Sequence, residues 1–101
     1  MATWRESNPR AQEDVRLRSA YNINIDAYDS MVQAQGGRCL ICGGEGKLVV
    51  DHDHACCPTK NRTCGICVRG LICLRCNTGL GMFDDDIERM QEAIKYVEKR
   101  R

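Results

Sequence analysis

The chain has 101 residues, enough for one small domain, a formal net charge of +1, and no apolar run of membrane-spanning length. One Trp, three Tyr and one Phe leave little for a large core, so such a domain calls for staples beyond hydrophobic packing. The near-balanced charge excludes a broad basic footprint, and any nucleic-acid contact must be local.

Residues 1–23 read as a polar N-terminal arm, helical at most near Gln12 to Ala20 and otherwise a solvated tail, with a DNA-contacting arm as the alternative. The opening Met-Ala-Thr-Trp-Arg-Glu-Ser-Asn lacks the apolar run of a signal peptide, so a cytoplasmic, reducing setting is expected. Residues 24–101 read as the domain proper, with a C-terminal helix. Its first element is a helix from Asn24 to Gly37. Asn24 suits the N-cap, Asp26 lies in the first turn where the helix dipole favours it, and Gly36-Gly37 closes the helix. Tyr28, Met31, Val32 and Gln35 follow helical spacing, so one face is expected to pack inward.

Lys47 to His52 reads as a strand, announced by Gly43, Gly44 and Gly46, and Val68 to Ile72 reads as a second. A last helix is expected to start near Asp84 to Asp86 and run almost to the end, with Ile87, Met90, Ile94 and Val97 as its apolar stripe.

All eight cysteines and both histidines fall between Arg38 and Gly81. Six cysteines lie in C-x2-C pairs, which in a reducing compartment points to metal rather than disulfides. Cys39 and Cys42 with Cys73 and Cys76 form two knuckles, and two such turns complete a tetrahedral zinc site. Cys56, Cys57, Cys64 and Cys67 are left over. They can make a second four-thiolate site, while the alternative set of His54, Cys57, Cys64 and Cys67 leaves Cys56 spare. Bound as thiolates, two such centres would move the total charge from +1 to about −3.

Zinc alone says only that the domain is stapled. The chemistry sits in Asp51-His52-Asp53-His54, at the end of the first strand. Carboxylates are hard ligands for Mg2+, and imidazole is the natural general base near neutral pH. Strand alternation puts Asp51 and His52 on opposite faces unless the chain bends there. Asn77 directly follows Cys76, so the metal that fixes the knuckle also fixes this amide.

Tyr28, Gln35-Gly36-Gly37-Arg38-Cys39-Leu40-Ile41-Cys42, Val50-Asp51-His52-Asp53-His54 and Val68-Arg69-Gly70-Leu71-Ile72-Cys73-Leu74-Arg75-Cys76-Asn77 resemble, in this order, the recombination endonuclease VII group of HNH nucleases. The resemblance implies a small α+β fold, a zinc-bound ββα-metal finger flanked by N- and C-terminal helices. It implies His52 as general base, Asp51 and Asn77 as ligands of a catalytic Mg2+ or Mn2+, and His54 in a supporting position. Arg69 falls where a phosphate-contacting or structural Arg is expected, although an ordinary solvated charge fits there too. DNA, duplex or branched, would be the substrate, and a homodimer built through the terminal helices is in keeping with the family.

Two departures are plain. Val49 stands where junction-resolving members have a further His, and Leu80 stands where they have a Glu. Larger members also carry a further C-terminal domain. These departures favour nicking or double-strand cleavage over resolution of four-way junctions. The competing function is a zinc-ribbon module that binds nucleic acid and cuts nothing, which has no need of Asp51, His52 and Asn77 together. A thiol redox role fits poorly, because paired knuckles sequester their thiolates.

Overall fold

The computed structural model describes residues 9–53, 55–57 and 63–100. Their order is α1 (Pro9–Tyr21), α2 (Ile25–Ala34), β1 (Leu48–His52), β2 (Val68–Cys73), α3 (Leu74–Met82) and α4 (Ile87–Glu98). The architecture is small α+β, one antiparallel hairpin with α2 and α3 packed against it, α1 packed on α2, and α4 standing largely apart.

Helix α2 forms where its caps place it. The Asn24 side chain accepts from the Ala27 N–H at 2.8 Å, and Gly36 and Gly37 take the left-handed conformation just past its end. Its apolar face meets the hairpin through Tyr28, Met31 and Val32. Two polar side chains fix the docking. The Tyr28 hydroxyl donates to the Leu48 carbonyl at 2.8 Å, and the Gln35 amide both donates to the Leu71 carbonyl and accepts from its N–H. Gln35 thereby satisfies a backbone edge that β1 leaves open.

The core is a cluster of Leu17, Cys39, Leu48, Val50, Leu71 and Ile72, with Leu17 and Leu71 wholly buried. Leu17 comes from the stretch that reads in sequence as solvated. Helix α1 runs Pro9–Tyr21, longer than the expected Gln12–Ala20, and seats this one leucine in the core. The helix is polar on balance, with Ala11, Val15 and Leu17 scattered among charged residues, so no strong periodic stripe announces the burial of Leu17.

Helix α4 starts as expected, with Asp86 capping the Arg89 N–H at 3.2 Å. Its apolar stripe is another matter: Ile87, Ile94 and Val97 are 68%, 55% and 49% exposed. The molecule measures 61 × 28 × 23 Å with a radius of gyration of 16.2 Å, against about 13 Å for a compact chain of this length. No helix among the described residues is long and apolar enough to cross a membrane.

Candidate metal and active site

Each cysteine cluster brings four sulfurs within 4.8 Å of one another: Cys39, Cys42, Cys73 and Cys76 in the first, Cys56, Cys57, Cys64 and Cys67 in the second. Bonds of about 2.3 Å to a tetrahedral ion imply sulfur–sulfur edges of about 3.8 Å. Cys42 and Cys73 are 3.8 Å apart, as are Cys56 and Cys64, far beyond disulfide length. Both clusters can therefore hold a metal ion, and the donor set and spacing suit zinc. The four-thiolate arrangement of the second cluster is the one the described residues bring together. His54, its rival ligand and a candidate site residue, lies outside them.

Backbone N–H groups aim at these sulfurs. Ile41 and Cys42 donate to Cys39, Gly44 to Cys42, and Cys64 to Cys57. Burial pushes the Cys39 thiol up, but backbone donors from Cys42, Cys73 and Ile41 outweigh it and hold it at about 6. Backbone donors from Cys67 and Ile66 likewise bring Cys64 to about 7. Cys56 and Cys76 are pushed up to about 12, each foremost by a neighbouring thiol, Cys64 and Cys73 respectively. A dication that binds such a set of thiols displaces the protons they still hold.

The first cluster ties the loop after α2 to the junction of β2 and α3. Cys73 ends β2, Cys76 lies in the first turn of α3, and Asn77 follows it, half-buried. Helix α3 packs against both strands. The knuckle thus sets the helix carrying Asn77 against the strand carrying Asp51 and His52.

That strand is irregular between Asp51 and His52. The hairpin pairs Asp51 with Gly70 but His52 with Val68, so Arg69 is an extra residue in β2 and a bulge falls between Asp51 and His52. Bulges re-aim neighbouring side chains and recur beside active sites. Asp51 is 7% exposed and His52 half-buried, with its Nδ1 buried and its ring 6.4 Å from that of Tyr21.

Arg69 is no loose surface charge. Its Nε and Nη2 donate to the two oxygens of Asp51 at 2.7 and 3.0 Å, and its Nη1 and Nη2 donate to those of Asp85 at 3.1 and 3.0 Å. Two bidentate pairs lift the Arg69 pKa above its ordinary value, Asp51 contributing first and Asp85 second. Asp85 is absent from the sequence expectations, as is Tyr21. Three consecutive aspartates after α3 were a faint signal for the first; only the path of α1 places the second.

The second cluster is built onto this site. Asp53 donates its N–H to the Cys67 carbonyl and accepts at its own carbonyl from Cys56 and Cys57. The loop also docks on the end of α1: Thr63 donates from its N–H to Ala20 and from its hydroxyl to Tyr21, and the Asn22 amide donates to the Cys64 carbonyl.

Residues 14–99, spanning all of this, match the family model for recombination endonuclease VII. The Gene 59 protein of Mycobacterium phage D29 is 41% identical over 91 residues, 85% of this chain and 50% of that protein. The Gene 59 protein of Mycobacterium phage L5 is 37% identical over 99 residues, 93% of this chain and 55% of that protein. The chain thus spans about half the length of these curated relatives. No solved structure matches it. With the match running from α1 through both cysteine clusters to α4, the chain belongs to the recombination endonuclease VII family.

Proposed function

We propose that the protein is a metal-dependent DNA endonuclease of the HNH type, hydrolysing phosphodiester bonds with a single Mg2+ or Mn2+ and with zinc as its structural metal. The observation that carries this is the bulge between Asp51 and His52, on a strand held by the cysteine knuckle against the helix that bears Asn77.

Asp51 and Asn77 would hold the catalytic cation. The donor set fits: each Asp51 oxygen accepts one hydrogen bond from Arg69 and keeps a further lone pair for a hard ion. When bound, the cation would stabilise the negative charge that builds on the phosphoryl oxygens and on the leaving 3′ oxygen. His52 takes the proton of the attacking water. The packing of Tyr21 against the imidazole limits how the ring turns. Asp51, nearly buried and clamped by Arg69, stays put through the reaction. His54 supports the site. Duplex DNA, nicked or cut, is the substrate best matched to Val49 and Leu80; branched DNA is the other substrate to be assayed.

A second copy of the chain is the partner that the exposed stripe of α4 fits. The helix is acidic at its start, Asp86 and Glu88, and basic towards its end, Lys95, Lys99 and Arg100. Two copies laid antiparallel would bury Ile87, Ile94 and Val97 and set opposite charges side by side.

Supercoiled plasmid incubated with zinc-loaded protein and Mg2+ is expected to be nicked or linearised, and EDTA to stop it. His52→Ala should slow cleavage by about 10²–10⁴-fold. Cleavage undiminished in His52→Ala would overturn the mechanism. Binding of DNA without cleavage of any duplex or branched form would establish a non-catalytic zinc-ribbon module instead.

A further inference from the structure

A planar guanidinium has two edges that can each grip an anion with a pair of parallel N–H groups. Arg69 uses both. The Nε–Nη2 edge holds Asp51 and the Nη1–Nη2 edge holds Asp85. A phosphate cannot dock on Arg69 in this state, because no paired edge is left to receive it.

The two carboxylates are not equivalent. Asp51 lies on β1, anchored on both sides by the hairpin and the core. Asp85 lies in the turn between α3 and α4, and α4 leaves its apolar face exposed. Asp84 and Asp85 both adopt left-handed backbone, φ 55° and 56°. Aspartate tolerates that conformation better than most residues, yet two in succession are uncommon and accompany segments held in place by other contacts. Here those contacts include the Asp85 pair with Arg69 and the Asp84 pair with Arg89 at 2.6 Å. Beside them opens a cleft of about 580 Å³, walled by Asp53, Arg69, Asp84, Asp85, Leu80 and the start of α4. Arg69 is the one basic side chain among the described residues that line it.

We propose that Asp85 is a specificity-determining residue that competes with a DNA phosphate for the outer edge of Arg69. In the DNA-free protein its carboxylate stands in for the phosphate. A backbone phosphate presented next to Asp51 takes over that edge and Asp85 withdraws with its turn. The arrangement admits DNA that offers a phosphate at the right place and discourages loose association. It rests on the nuclease reading above, and Arg69 serves both as the clamp of Asp51 and as the phosphate contact.

The test is binding of a labelled duplex oligonucleotide to the zinc-loaded full chain, with Ca2+ replacing Mg2+ so that binding is read without cleavage. Asp85→Asn keeps the left-handed turn, since asparagine tolerates it as well. It is expected to bind roughly five-fold more tightly, because Arg69 no longer has to give up a carboxylate to meet the phosphate. Asp84→Asn removes the same charge one residue away and is expected to tighten binding far less, because its partner is Arg89. In an Arg69→Lys background, whose ammonium offers no paired edge, Asp85→Asn should bring no further tightening. Equal tightening in Asp84→Asn, or tightening that persists with Arg69→Lys, overturns the proposal. Wild-type protein that cuts plasmid while Asp85→Asn binds no more tightly overturns it alone, whereas failure of both proteins to bind DNA overturns it together with the nuclease reading.

Discussion

Leu17 carries more of the fold than any other residue of α1. It is wholly buried against the hairpin core, in a helix that is otherwise mostly polar. Leu17→Ala should destabilise the zinc-loaded protein by about 2–5 kcal/mol, read from urea unfolding, because a small core has few neighbours to close over the cavity. The residue scale is also where sequence reading reached its limit. The Asn24 cap and the cysteine knuckles are visible as spacing, because local geometry dictates them. Leu17 is not, since burial of one side chain depends on where a helix lands. Arg69 shows the same divide: its type and position invite a phosphate, but its two partners follow from a bulge that places it beside Asp51 and a turn that brings up Asp85.

At the scale of elements, the second cysteine cluster acts as a clasp between α1 and the end of β1. Gly65 sits at the contact. Its φ is +85°, and a Cβ there would lie 2.8 Å from the Asn22 carbonyl oxygen, a backbone atom that cannot step aside cheaply. Gly65→Ala is expected to loosen α1, adding about 1–2 kcal/mol of left-handed strain to the clash. Faster amide hydrogen exchange in Pro9–Tyr21, with the β1–β2 hairpin still protected, is the result to look for; unchanged exchange would mean the loop and helix are not coupled. Such coupling also bears on His52, whose ring neighbour Tyr21 ends α1. Strands and helices themselves were largely legible. Their boundaries follow caps and glycines, with α2, β1, β2 and α4 close to where periodicity puts them. The bulge between Asp51 and His52 was not, because a one-residue mismatch between strands leaves no trace in either strand alone.

On the scale of the whole molecule, length and exposure point the same way. The chain is 61 Å long and leaves an apolar helix face exposed, the face that the antiparallel pairing proposed for α4 would cover. Ile94→Asp should convert a dimer to a monomer in sedimentation equilibrium while leaving the zinc content unchanged; wild-type protein that is already monomeric at high concentration would rule the pairing out.

The two thiolate clusters carry a consequence for how the protein moves in an electric field. With every thiol counted as protonated the metal-free chain has a formal charge of +1, and the Cys39 and Cys64 thiols, held at about 6 and about 7, bring it close to zero at pH 7. Each tetrathiolate zinc centre adds two negative charges, so the fully loaded chain stands near −3 and runs towards the anode. A singly loaded chain, near −1, runs between them. Native electrophoresis should separate the metal states of one polypeptide, and titration with zinc should speed its travel towards the anode in steps.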